Sequence, residues 1–199
     1  VRKVLAVATI KGIDFEHEMV FPGSDDPAYR KLSPLGKIPA LEDGDLGISD
    51  SSVICEYLEE TYPEISVLPV SAADRARCRW IEEFADSRWV ECTAVFFFEN
   101  FVKKLMGLGE PDLEKLADVE NNVLPQFADY VESIVPDEGF FFDYITVADI
   151  ALTNPTINAG YGGLTLDAAR WPKSVAYFER VKAHPVMVQL MEAEKAMLG

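Results

Sequence analysis

Apolar residues at Val1, Val4, Leu5 and Ala8 recur at helical spacing and predict a helix over residues 1–11, closed by Gly12. Residues 15–21 alternate instead. Phe15, His17, Met19 and Phe21 fall on one face, Glu16 and Glu18 on the other, which is the pattern of a half-buried strand. On that face His17 reads as a hydrogen-bonded core histidine rather than a ligand. Residues 22–33 form a polar loop with one helical turn at 27–30. Residues 38–42 and 46–49 then make the strands of a hairpin about the turn signal Asp43-Gly44. A helix follows over residues 50–61, with Ser49 or Asp50 as its cap and Val53, Ile54, Tyr57 and Leu58 as its buried stripe. Tyr62-Pro63 stops it.

The character changes after residues 67–72, a short linker containing Pro69. Residues 73–105 are helical, with Trp80, Ile81, Phe84, Trp89 and Val95 among the apolar positions, until Gly107 and Gly109-Glu110-Pro111 break the run. Residues 112–135 form a second helical stretch that Pro125 interrupts. Thr146-Val147-Ala148-Asp149 has the form of a capping box, with Ile145 and Ile150 at the staple positions. Trp171-Pro172 opens another helix, and His184-Pro185 ends it and starts the last. The layout is therefore an α/β unit over residues 1–66, a linker over 67–72 and an all-helical unit over 73–199.

Composition narrows the function. Of 199 residues 49% are hydrophobic, enough to bury a core. The balance of 34 acidic against 18 basic residues leaves a net charge of −16, which argues against nucleic acid or an anionic membrane surface as partner. No apolar run is long enough for a membrane span, and the first residues lack the pattern of a signal peptide. The three cysteines, Cys55, Cys78 and Cys92, have no paired spacing, which fits a reducing cytosol. Cys78 and Cys92, fourteen residues apart on one predicted helix, are separated by roughly 21 Å along its axis and cannot share a metal ion. His17 and His184 fall in separate segments, so no metal-ligand cluster is expected.

The candidate chemistry lies in two stretches, Pro34-Leu35-Gly36-Lys37-Ile38-Pro39-Ala40-Leu41 and Asp50-Ser51-Ser52-Val53-Ile54. Loop, strand, turn, strand and helix start together make a compact site for one extended, polar small ligand. Residues 33–41, residues 50–58 and the capping box at 145–151 resemble, in order and spacing, a soluble bacterial-type glutathione transferase. The likeness covers nearly the whole chain. It implies a thioredoxin-like N-terminal domain whose first strand is missing from this chain, and an all-α C-terminal domain. It also implies a cis Ile38–Pro39 bond and a cytoplasmic homodimer.

By that resemblance glutathione is the co-substrate and a hydrophobic electrophile the second substrate, with no metal. Ile38, next to Pro39, pairs with the cysteinyl backbone of glutathione. Asp50 takes the γ-glutamyl ammonium, Ser51 the γ-glutamyl carboxylate at a helix N-terminus, and Lys37 approaches the glycyl carboxylate. The thiol-activating serine, tyrosine or cysteine is expected upstream of Val1. One departure is Phe142, where the family usually carries glycine before the aspartate. Two other readings keep the fold: a non-catalytic regulatory protein similar to the stringent starvation protein, and a glutathione-dependent isomerase or dehalogenase.

Overall fold

The structure is a computed structural model and describes residues 1–198. Its chain forms two compact units, Val1–Leu68 with Val186–Gly199, and Pro69–Pro185.

In the first unit α1 (Arg2–Ile10) ends where Gly12 turns left-handed at φ 67° and Ile13 N–H reaches back to the Ala8 carbonyl at 3.0 Å. That six-to-one bond satisfies a carbonyl the helix end leaves open. A short α2 (Pro27–Leu32) follows, capped by Asp26. Strands β1 (Ala40–Asp43) and β2 (Leu46–Ser49) pair antiparallel, with Ala40 opposite Ser49 and Asp43 opposite Leu46. The connecting loop is Gly44-Asp45, and Gly44 supplies the positive φ (59°) that a tight hairpin needs. Helix α3 (Ser51–Thr61) packs on α1, burying Ile54, Cys55 and Leu58 with Val4, Ala6 and Val7.

Charged side chains close this unit. Lys11 Nζ, fully buried, donates to Glu59 Oε2 at 2.7 Å and to the Ile65 carbonyl at 2.6 Å. Glu59 also accepts from Ser66 Oγ and from Val67 N–H. The last helix, α11 (Pro185–Leu198), is held by a bidentate pair, Arg2 Nε to Glu194 Oε1 at 2.9 Å and Arg2 Nη2 to Oε2 at 2.5 Å.

Three expectations fail here. Residues 15–21 belong to no strand: β1 and β2 bond to each other, and among the described residues the sheet holds no third member. Alternation sets which way side chains face, but a strand also needs a neighbour for its backbone. Phe15, Met19 and Phe21 are consequently exposed, and His17 is exposed as well rather than a core residue. In α3 the stripe is rotated: Val53 is exposed, and Cys55 and Glu59 are buried in its place. The first hairpin strand starts at Ala40, two residues later than the alternation indicates.

The second unit begins with one continuous helical run. It comprises α4 (Ala72–Phe84), a π-turn (Ala85–Trp89), α5 (Val90–Phe96), a second π-turn (Phe97–Val102) and α6 (Lys103–Met106). Gly107 ends it in the left-handed region. Each π-turn adds a residue to the local ring and rotates the buried face. Trp89 is fully buried while Trp80, another apolar position of the run, is 64% exposed. Helix α7 (Leu113–Asp118) passes through a π-turn (Val119–Val123) into α8 (Leu124–Ile134), whose first turn carries Pro125. Pro125 removes an N–H that a continuous run would bond to an earlier carbonyl, and it falls where the π-turn passes into α8.

Helix α9 (Val147–Tyr161) is the core of this unit. It packs on α4, α5 and α10 (Pro172–Lys182) and is buried on nearly every side, although Pro155 lies inside it. Its capping box is complete. Asp149, with no exposed surface, accepts from Thr146 N–H and Thr146 Oγ1, both at 2.8 Å, from Phe141 N–H at 3.0 Å and from Tyr177 Oη at 2.8 Å. Ile145 and Ile150 are buried beside it. Phe142 does not take the left-handed backbone that glycine would favour. At its far end α9 runs so close to the α4–α6 run that a Cβ on Gly162 would lie 2.2 Å from the Phe96 carbonyl oxygen.

Candidate functional site

The loop before β1 is organised by Arg30. Its guanidinium donates to the carbonyls of Ser24, Pro34 and Gly23 and pairs with Asp25 at 2.9 Å. Gly36, at φ 65°, lies against it, where a Cβ would come within 2.9 Å of the guanidinium. Tyr29 Oη at 2.6 Å and Ser33 Oγ at 2.7 Å both donate to the Lys37 carbonyl. The peptide unit entering the site is thus held by two hydroxyls. Neither residue stands out in the sequence, where each reads as an ordinary polar loop position.

The Ile38–Pro39 peptide bond is cis. Ile38 and Pro39 are half-buried, and neither the N–H nor the C=O of Ile38 takes an intrachain hydrogen bond among the described residues. The register of the hairpin fixes what stands opposite. Because Ala40 pairs with Ser49, Pro39 and Asp50 flank the same end of the hairpin. Asp50 is the N-cap of α3, its Oδ1 accepting from Ser52 N–H at 2.9 Å and Val53 N–H at 3.1 Å. Ser51 is the first helical residue, half-buried, and its hydroxyl makes no intrachain hydrogen bond among the described residues. Lys3, 4% exposed, donates from Nζ to Ser52 Oγ at 3.0 Å.

Of the five residues expected at the site, Ile38, Pro39, Asp50 and Ser51 therefore gather at one end of the hairpin. Lys37 is next to them in the chain, but its side chain is exposed. The arrangement offers an extended ligand an open backbone donor and acceptor at Ile38. It also offers a carboxylate with a spare oxygen at Asp50 and an anion site at the positive end of α3.

No cysteine is activated in the second unit. Burial pushes the Cys78 thiol up to about 11 and the Cys92 thiol up to about 12, so neither is a thiolate near neutral pH. Among the described residues no group of three or more His, Cys, Asp or Glu side chains could hold a metal ion. No helix of the described chain is long and apolar enough to cross a membrane.

A small α/β unit with a proline before a hairpin and a capped helix beside it, followed by an all-helical unit, fits a thioredoxin-like domain joined to a helical one. Residues 1–66 match the family described as the glutathione S-transferase N-terminal domain. Over 168 residues the chain is 30% identical to glutathione S-transferase 1 of Dianthus caryophyllus, covering 82% of this chain and 73% of that protein. Over 201 residues it is 29% identical to the maleylacetoacetate isomerase of Pseudomonas aeruginosa, covering 97% and 91%. The crystal structure of a glutathione S-transferase from Rhodospirillum rubrum F11 superposes with a TM-score of 0.83 at 27% identity, over 94% of this chain and 84% of that one. The chain belongs to the glutathione S-transferase family.

Proposed function

We propose that this protein binds glutathione and transfers its thiol to a hydrophobic electrophile. The single observation that carries the reading is the unpaired peptide edge of Ile38 beside the cis Pro39, at the same hairpin end as the N-terminus of α3. Glutathione is an extended tripeptide with a central thiol, two carboxylates and one ammonium. Its cysteinyl backbone pairs with Ile38 as a short added strand. Asp50 Oδ2 takes the γ-glutamyl ammonium, and the Ser51 N–H and hydroxyl take the γ-glutamyl carboxylate. Lys37, on the loop entering the site, reaches the glycyl carboxylate. In the reaction the thiol loses its proton to solvent and the sulfur forms a bond to the electrophilic carbon, which releases its leaving group with the bonding electron pair, as chloride leaves chlorodinitrobenzene; where the electrophile is a conjugated double bond, the π electrons shift onto the neighbouring carbon, which takes up a proton.

In this reading residues 1–66 form the glutathione-binding domain, 67–72 a linker and 73–199 the helical domain. It works as a cytoplasmic homodimer in detoxification.

A second reading is favoured by the match to a maleylacetoacetate isomerase over nearly the full chain. There, glutathione adds to a conjugated cis double bond and leaves again after rotation, so it is regenerated. One assay set tests both. Isothermal titration measures glutathione binding. Conjugation to chlorodinitrobenzene reports transfer, and the isomerisation of a maleyl substrate without net loss of glutathione reports the second chemistry. No glutathione binding up to several millimolar overturns both.

A further inference from the structure

We infer that Tyr29 and Ser33 are positioning residues for the ligand: their hydroxyls hold the Lys37–Ile38 peptide so that its N–H faces the cysteinyl carbonyl of glutathione. The inference rests on the glutathione reading above and deepens it.

Tyr29 Oη and Ser33 Oγ donate to the same oxygen, the Lys37 carbonyl, at 2.6 Å and 2.7 Å. A carbonyl oxygen has two lone pairs, and here each is matched by a hydroxyl. No backbone N–H of the described residues donates to that oxygen. The Lys37 carbonyl and the Ile38 N–H belong to one peptide unit. That unit is trans, and a planar trans peptide points its N–H opposite to its C=O. Fixing the carbonyl on one side therefore fixes the N–H on the other, where it has no intrachain acceptor among the described residues.

Ser33 is the rigid half of the pair. It has no exposed surface, its N–H donates to the Tyr29 carbonyl at 2.8 Å, and its own carbonyl accepts from Gly36 N–H at 2.8 Å. Tyr29 is half-buried on α2, where the neighbouring Arg30 clamps the carbonyls of Gly23, Ser24 and Pro34. Gly23 N–H donates to the Gly36 carbonyl at 2.8 Å and closes the loop on itself. The loop so braced delivers two hydroxyls to one carbonyl. Two donors there also polarise the peptide and make its N–H a stronger donor, since hydrogen bonds in a chain reinforce one another. The ligand contact gains twice, from an N–H that is aimed before the ligand arrives and from one that donates better. Neither Tyr29 nor Ser33 needs to touch glutathione.

The test follows this one peptide by NMR in the isotope-labelled full chain, where a single HNCO cross-peak reports the Lys37 carbonyl carbon together with the Ile38 amide. Isothermal titration measures glutathione affinity alongside. The native chain, Tyr29→Phe and Ser33→Ala are compared, and thermal melting checks that each is folded. Should the buried Ser33→Ala fail to fold, Tyr29→Phe, at a half-buried position, carries the test alone. In the free variants the Lys37 carbonyl carbon is expected to move upfield, as a carbonyl does on losing a donor. Glutathione is expected to move the Ile38 amide proton downfield in the native chain and by less in the variants. It is also expected to bind each variant about two- to ten-fold more weakly, the net worth of one hydrogen bond. Weaker binding with an Ile38 response of full native size would mean that the hydroxyls merely support the loop, and would overturn the inference. So would a displaced carbonyl with unchanged affinity, or a carbonyl that does not move in a folded variant. A native chain that binds glutathione without moving the Ile38 amide overturns the inference and leaves glutathione binding itself standing. A native chain that does not bind glutathione overturns both.

Discussion

Lys11 and Glu59, 48 residues apart in sequence, form an ion pair at 2.7 Å with side-chain exposures of 0% and 7%. The pair joins the end of α1 to α3 and to the segment after it, because Lys11 also donates to Ile65 O and Glu59 accepts from Ser66 and Val67. The body that carries the hairpin and the N-terminus of α3 is held together at its base by this network. Removing one partner leaves the other buried and unpaired, so Lys11→Met is expected to destabilise the chain by about 3–5 kcal/mol in urea unfolding. The double variant Lys11→Met/Glu59→Leu is expected to recover much of that loss. A single variant as stable as the native chain would show that the network contributes little.

At the ligand site the two neighbouring residues are expected to separate by readout. Ser51→Ala should weaken glutathione by about 1–3 kcal/mol, the loss of a charge-assisted hydrogen bond, with little change in melting temperature. Asp50→Ala should weaken glutathione and also cost about 1 kcal/mol of stability, because the α3 cap is lost. Titration and melting of both variants check this, and an unchanged glutathione affinity in Ser51→Ala would remove that residue from the site.

Glu99 sets an acid limit on the second unit. Hydrogen bonds from Lys103, the Asp112 N–H and Lys115 hold its carboxyl down to about 2, against an ordinary value of 4.5. Its folded value is depressed, so its stabilising effect is complete above about pH 4.5 and is lost as pH falls toward about 2. The melting-temperature gap between the native chain and Glu99→Gln is therefore expected to be constant near neutral pH and to close across that window. A gap that does not change with pH would contradict this.

Gly162 and Gly160 make a matched pair at the end of α9. A Cβ at Gly162 would meet the Phe96 carbonyl oxygen at 2.2 Å and carbon at 2.4 Å, both backbone atoms that cannot swing away. A Cβ at Gly160, within the helix, meets nothing within 4 Å. Gly162→Ala is expected to cost more than about 3 kcal/mol. Gly160→Ala is expected to gain about 0.5–1 kcal/mol, since alanine loses less freedom in a helix. Chemical unfolding of the two variants measures both signs.

Asp149, fully buried, accepts from Phe141 N–H, from Thr146 N–H and Oγ1 and from Tyr177 Oη. Burial pushes its carboxyl above the ordinary range, and hydrogen bonds from Phe141, Thr146 and Tyr177 oppose that shift. Asp149→Ala would leave these donors buried without an acceptor and is expected to cost about 3 kcal/mol or more. Tyr177→Phe, which removes one donor and leaves the others satisfied, should cost about 1 kcal/mol. Comparable losses in the two variants would mean that Asp149 is not the hub of the network.

Much of this was legible in the sequence where the signal is local. The capping box of α9, the Gly12 stop, the hairpin and the Asp50 cap each depend on a few neighbouring residues, and periodicity with end chemistry located them. Residues 38, 39, 50 and 51 could be named because short motifs carry them. The alternation over residues 15–21 misled because it describes faces and says nothing about a pairing partner. Val53 misled because apolar character alone does not say which arc of a helix is covered. Nothing local marks Lys3, Tyr29, Ser33 or Glu59, whose roles come from contacts with distant residues.

The sequence by itself located the hairpin turn, the helix caps and most helix ends, because hydrophobic period, caps and turn residues act within a few positions. Tertiary structure alone decided that Pro39 and Asp50 flank one end of the hairpin, that Lys3 is buried against Ser52 and that π-turns rotate the long helical run. Each of these depends on register and packing between segments far apart in the chain, and burial, unlike propensity, is a property of the neighbours a residue acquires on folding.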